Sequence, residues 1–141
     1  MLKYYFCLNT EHKMTIDKFI KFAIFFAVTA VALGALGAHA LKEVLTESQL
    51  DSFETGVRYQ LFHALTLLFL ALNAEKFNQH LKKSLALMTA GICLFSFSIY
   101  LLSIQEAVGI SLSFLGPITP IGGLLLISAW IVLFFSIKKQ G

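Results

Sequence analysis

An all-α membrane protein, four transmembrane helices in one bundle with both termini cytoplasmic, is the fold class that three features of the sequence predict. The 141 residues are 57% hydrophobic and only 13% charged, with a mean hydropathy of +0.78, too apolar for a soluble domain of this size. The apolar residues come in four blocks, each long enough to cross about 30 Å of hydrocarbon at about 1.5 Å per residue. The 11 Lys and Arg lie in the segments around these blocks, so the net charge of +3 reports orientation rather than affinity for nucleic acid.

Residues 1–21 carry Lys3, Lys13, Lys18 and Lys21, and their apolar run Tyr4–Leu8 is too short to span, so the segment reads as a cytoplasmic tail. Met14 stands directly before Thr15-Ile16-Asp17-Lys18 and the first long block. It is a second candidate start, under which residues 1–13 are an extension. The first span, 22–41, is uncharged and ends at Lys42-Glu43. Ala30, Gly34 and Ala38 recur every four residues with Gly37 beside them, a face that lets a neighbouring helix approach closely. Leucine at Gly34 or Gly37 is expected to damage folding, and Ala23, nearer the cytoplasmic end, to tolerate it better. The basic start, apolar run and Ala38-His39-Ala40 also imitate a signal peptide, but the block exceeds the apolar core of about 7 to 15 residues that such a peptide carries.

Residues 42–57 are acidic through Glu43, Glu47, Asp51 and Glu54. Thr46 followed by Gln49 is a capping-box signature. Leu50, Phe53, Val57 and Leu61 then repeat at helical spacing, so a helix opens here that either lies along the membrane surface or rises directly into the second span, 57–74. Arg58 marks the boundary, because an arginine at the bilayer centre costs at least about 2.5 kcal/mol, and Glu54, one turn earlier, is its expected partner. Lys76, Lys82 and Lys83 occupy the next connection, and the third span covers 84–104. A connection with Glu106 and no basic residue leads to the fourth span, 119–137. That span opens at Thr119-Pro120, where threonine suits a cap and proline the first helical position, and closes at Lys138-Lys139. Only Lys42 and Arg58 lie outside the tail, the middle connection and the carboxyl end, so the positive-inside rule assigns these three segments to the cytoplasm. The expected location is the plasma membrane, the inner membrane of a bacterium, and the connections are too short to hold a second domain.

Under this topology the unusual residues collect toward the outer leaflet. Counting about 1.5 Å per residue inward, His39 lies about 3 Å deep, His63 about 9 Å, Tyr100 about 6 Å and Gly122 about 7 Å. On the second span Gly56, Tyr59, Gln60, His63 and Thr66 share one helical stripe, which lipid would penalise and which is therefore expected to face the bundle. His39, Tyr59, Gln60, His63, Tyr100 and Thr119 form the candidate polar cluster; Ala30, Gly34, Gly37, Ala38, Gly122 and Gly123 are the candidate packing positions. Interhelical hydrogen bonding competes with ligand binding or proton handling as the role of His63. Trp130 lies too deep for an interfacial aromatic belt. Two histidines on different helices could ligate haem or a metal, but no Cys-x-x-Cys-His, His-Glu-x-x-His or intramembrane carboxylate pair accompanies them. Cys7 and Cys93 follow no metal or disulfide spacing. Neither catalysis nor a cofactor nor a metal is expected.

Four motifs in order carry a family resemblance: Ala32-Leu33-Gly34-Ala35-Leu36-Gly37-Ala38-His39, Phe53-Glu54-Thr55-Gly56-x-x-Tyr59-Gln60-x-x-His63, Phe95-Ser96-x-Ser98-x-Tyr100 and Ile118-Thr119-Pro120-Ile121-Gly122-Gly123. Over residues 15–137 the chain resembles the YgdD-like family of small bacterial membrane proteins, domain of unknown function 423, related to eukaryotic transmembrane protein 256. The resemblance implies the membrane class and adds no chemistry. The chain departs from the pattern at Phe97 and Ala129, where the family usually has glycine. The expected function is that of a structural or regulatory partner in the bilayer, with another membrane protein or a second copy as its partner. The alternative is a component of a small-solute or proton transporter or channel, acting as an oligomer through the outer-leaflet cluster.

Overall fold

The computed structural model describes the backbone of residues 2–138 and the side chains of residues 15–138. Four helices follow one another: α1 (Leu2–Ala38), α2 (Glu47–Leu72), α3 (Leu81–Val108) and α4 (Ile118–Phe134), with single 3-10 turns at Leu41–Glu43, Ala74–Lys76 and Ser113–Leu115 in the three connections. Four segments are long and apolar enough to cross a membrane: Thr15–Glu43, Glu47–Leu72, Leu81–Val108 and Ser113–Phe134. The basic segment before the first apolar block continues α1, whose backbone is helical from Leu2. Met1, residues 139–141 and the side chains of residues 2–14, Cys7 among them, lie outside the described residues.

Local chemistry sets the ends of these helices. Thr46 caps α2 in the capping box that the sequence predicts: its hydroxyl accepts from Gln49 N at 3.4 Å while the Gln49 side chain accepts from Thr46 N at 2.9 Å. The helix then rises without interruption, so the surface-lying alternative does not apply. Gly109, at φ 72, ends α3 in the left-handed region that glycine enters without a Cβ penalty, and its N–H reaches the carbonyls of Gln105 and Glu106. At α4 the expectation was off by two residues. Pro117 occupies the cap position with no side-chain cap bond, and the Thr119 hydroxyl bonds Ser98 of α3 instead.

α1 packs chiefly on α2, α2 on α3 and α3 on α4. The bundle is thus two helical hairpins joined through their α2 and α3 members. One end carries the acidic residues Glu47, Asp51, Glu54 and Glu106; the other carries Lys76, Lys82, Lys83 and Lys138. At the lysine end the second connection is clasped to the close of α4. Asn78 N donates to Ser136 O at 2.8 Å, Asn78 Nδ2 to Phe135 O at 3.0 Å and Lys138 Nζ to Glu75 O at 2.6 Å. At the acidic end Gln49 Nε2 donates to Glu106 Oε2 at 2.7 Å, tying α2 to α3.

The core mixes small and branched residues. Ala23, Ala30, Ala64 and Ala129 are fully buried beside Leu67, Leu85, Met88 and Ile92. Phe25, Val28, Phe62, Leu124 and Phe134 are more than half exposed, the expected arrangement where the surrounding medium is hydrocarbon and offers apolar side chains no reason to turn inward. Two packing expectations on α1 are corrected. Ala23, expected to take leucine better than Gly34 or Gly37, is fully buried in the central core cluster, and Ala38, expected to pack, is the last residue of α1 and is exposed. Arg58 does not pair with Glu54; its Nη2 reaches Thr55 Oγ1 at 3.4 Å.

Candidate functional site

Gln60 is the centre of the polar structure inside the bundle. Its position on α2, one turn after Gly56, faces both α1 and α3, and its side chain is fully buried. The amide nitrogen donates to Phe26 O at 2.9 Å and to Thr29 Oγ1 at 2.7 Å, both on α1. The amide oxygen accepts from Tyr100 Oη on α3 at 2.9 Å. A carboxamide holds two donors and two lone-pair acceptor sites; three helices are therefore linked through one side chain. Membrane hydrogen bonds average about 0.6 kcal/mol each and reach about 1.7 kcal/mol, so the three together constitute a significant local term. Gly56 leaves room for this arrangement: a Cβ there would lie 2.7 Å from the Tyr100 ring.

His63 makes the second link, from α2 to α4. Its Nδ1 lies 2.8 Å from Tyr59 O, a group that only accepts, so Nδ1 carries the hydrogen. Nε2 is then the acceptor for the Trp130 indole N–H at 3.2 Å. One neutral tautomer satisfies both ring nitrogens and the indole together. Around this bond the His63 ring stacks on Tyr59, with centroids 5.9 Å apart, and meets Phe62 edge-on at 5.4 Å.

α3 and α4 are locked by different means. The Ser84 hydroxyl donates to Ala129 O at 2.8 Å, and Ser98 and Thr119 share a hydrogen at 2.7 Å. Between these bonds the helices come close enough that a Cβ at Gly122 would lie 2.7 Å from Phe95 Cα, and one at Gly91 2.6 Å from Leu126 Cδ2. Gly123, one residue on, has ordinary clearance of 3.7 Å to the Phe95 ring. The two family departures fit this geometry. Phe97 is 42% exposed and meets the Tyr100 ring edge-on at 6.2 Å, while Ala129 is fully buried and its carbonyl accepts from Ser84.

The candidate cluster therefore divides. Gln60 and Tyr100 touch directly; His63 lies one turn away and joins a different helix. Tyr59 is 46% exposed, and its ring packs on Phe95 at 4.8 Å. Thr119 belongs to the α3/α4 contact. His39 lies beyond the end of α1, exposed and outside the cluster. Of the packing positions, Ala30 is fully buried, and Gly34 and Gly37 face Val57 and Phe53, where a Cβ would lie 3.4 and 3.3 Å away. Sequence reasoning missed Thr29, Ser84 and Gly91. Thr29 and Ser84 are hydroxyls in otherwise apolar stretches, a signal that points to interhelical bonding in a membrane.

α2 and α4 make little direct contact, and the space between them is an open groove of about 670 Å³. Phe62 and Tyr59 form its α2 wall, Ile127 and Leu126 its α4 wall, and Phe95 of α3 its back. The bonded His63–Trp130 pair and Arg58 also line it.

The profile described as "Protein of unknown function (DUF423)" matches residues 33–123. The UPF0382 membrane protein YwdK of Bacillus subtilis is 41% identical over 115 residues, covering 80% of this chain and 89% of its own length. A UPF0382 membrane protein of Haemophilus influenzae is 34% identical over 124 residues, with 88% and 96% covered. The UPF0382 inner membrane protein YgdD of Escherichia coli is 30% identical over 129 residues, with 86% and 95% covered. No solved structure matches. With four membrane-length helices, the profile match across all of its first motif but Ala32 and the whole of the other three, and relatives of nearly its own length, this chain is a small membrane protein of the DUF423 family.

Proposed function

We propose that this protein is a non-catalytic structural or regulatory partner of another membrane protein in the plasma membrane, with both termini cytoplasmic. The observation that carries the reading is the use of the intramembrane polar groups. Gln60 spends its amide on α1 and α3, and His63 spends both ring nitrogens on Tyr59 and Trp130. Groups so engaged hold a fixed shape. The surface such a shape would present is the end of α3 and the connection after it, where Val108, Ile110 and Phe114 stand 59, 55 and 69% exposed at the acidic end. The lysine distribution supports cytoplasmic termini, and the inner-membrane relative YgdD supports the location.

Site-specific photo-crosslinking in intact cells tests this reading, with the probe at Phe114 and a control at Phe134. The expected result is a discrete protein adduct from Phe114 and none of that mass from Phe134. Adducts between copies alone would overturn it in favour of the oligomeric transporter or channel component. The groove that opens beside His63 is the feature favouring that second reading. Its own test is solute or proton flux in proteoliposomes, abolished by His63→Asn.

A further inference from the structure

We infer that the groove between α2 and α4 is a binding site for one anionic phospholipid, with an acyl chain along the groove and the phosphate on Arg58. The site is separate from the loop contact proposed above and stands or falls without it.

The dimensions favour a chain rather than a helix. The groove runs along α2 from Arg58 to His63 and along α4 from Gly123 to Trp130, about 7 to 10 Å at 1.5 Å per residue. Its volume of about 670 Å³ lies within the range of small-molecule sites, about 300 to 1,000 Å³. The two walls are tied by the 3.2 Å bond from Trp130 to His63, so only two side chains separate them there. A helix, about 10 to 12 Å across with its side chains, does not fit into that spacing. The polar atoms of the floor are already bonded to each other, which leaves an apolar surface for hydrocarbon and no free donor or acceptor deep in the groove.

The mouth supplies the headgroup chemistry. Arg58 lines the groove, is exposed, and among the described residues has only the Thr55 hydroxyl at 3.4 Å for a partner. It precedes Tyr59, whose ring contacts Phe95. The backbone at Phe95 meets Gly122 in the first turns of α4, so Arg58 sits level with the start of that helix. A guanidinium held at this boundary presents a planar fork of donors matched to a phosphate diester. Phosphate oxygens there would supply the anion that Glu54 does not. The Tyr59 hydroxyl, with no hydrogen-bond partner among the described residues, is a further donor on the same wall.

Native mass spectrometry of the full-length protein in detergent with equimolar dioleoylphosphatidylglycerol and dioleoylphosphatidylcholine tests the site. One phosphatidylglycerol per chain should be retained in preference to phosphatidylcholine. Arg58→Gln should lower that preference about tenfold, the loss of one charge-assisted contact. Lys42→Gln, which removes an exposed cation at the same end, should leave it unchanged. Ile127→Trp, which fills the α4 wall, should reduce retention of both lipids, and this variant decides the matter if Arg58→Gln fails to fold. Equal retention of the two lipids by the wild type would overturn the site, as would an unchanged preference in Arg58→Gln or undiminished binding by Ile127→Trp. Dimeric ions in place of the lipid adduct, lost in Ile127→Trp, would assign the groove to a second copy of the chain.

Discussion

Gln60 shows why one amide can matter more than its neighbours in a bundle whose interior is otherwise aliphatic. Replacing it with leucine removes three interhelical bonds and leaves Tyr100 Oη and Thr29 Oγ1 to find other acceptors or donors, whereas Tyr100→Phe removes one bond and leaves the rest of the amide engaged. In reversible unfolding from mixed micelles, Gln60→Leu should cost about 1 to 2 kcal/mol and Tyr100→Phe about 0.6 kcal/mol. Equal costs, or none, would mean that Gln60 is not the hub. The membrane penalty on polar side chains made Gln60 and His63 legible in the sequence as inward-facing groups, and Tyr100 only as a polar group at a similar depth. Their partners were not legible, because depth along a helix says nothing about azimuth. His39 has the depth of the cluster but lies past the last turn of α1. Trp130 stands out in the sequence only as too deep for a belt, and its partner His63 is reached across the groove between α4 and α2.

At the scale of the helices, caps and crossings differ in how openly the sequence declares them. The Thr46–Gln49 box depends on residues three apart and was readable directly. The start of α4 was misread because Thr119 has two possible partners, its own helix end and Ser98 of α3, and the interhelical bond prevails. Glycines were readable as packing positions, but not which of them bear the closest approach. Gly122 and Gly123 make the distinction testable with a single methyl group. At Gly122 the added Cβ meets the backbone of Phe95, which cannot rotate away, while at Gly123 it meets only ring atoms at 3.7 Å. Gly122→Ala should therefore push α3 and α4 apart at a cost of about 1 to 3 kcal/mol, and Gly123→Ala should leave the melting temperature in detergent close to that of the wild type. Equal tolerance would show that the α3/α4 crossing is looser than its contacts indicate.

For the whole molecule the decisive quantity is orientation, which charge determines and packing does not. The same bundle could be inserted either way up without changing a single contact between its helices. What differs is the side on which Lys76, Lys82, Lys83 and Lys138 reside, opposite the acidic residues of the other end. Translocating a cluster of lysines is disfavoured, while acidic side chains contribute little to orientation, so the lysine end should stay in the cytoplasm. A chain with Cys7 and Cys93 replaced by serine and a single cysteine at Ser52, an exposed position at the acidic end, should react with a membrane-impermeant maleimide added to intact cells. A cysteine placed at Lys76, exposed at the lysine end, should react only after the membrane is opened. Replacing Lys76, Lys82 and Lys83 together by glutamine should weaken the bias and give a mixed population in which both positions are partly labelled in intact cells. Labelling of Lys76→Cys alone in intact cells would invert the assignment, moving the groove mouth at Arg58 from the outer to the cytoplasmic leaflet.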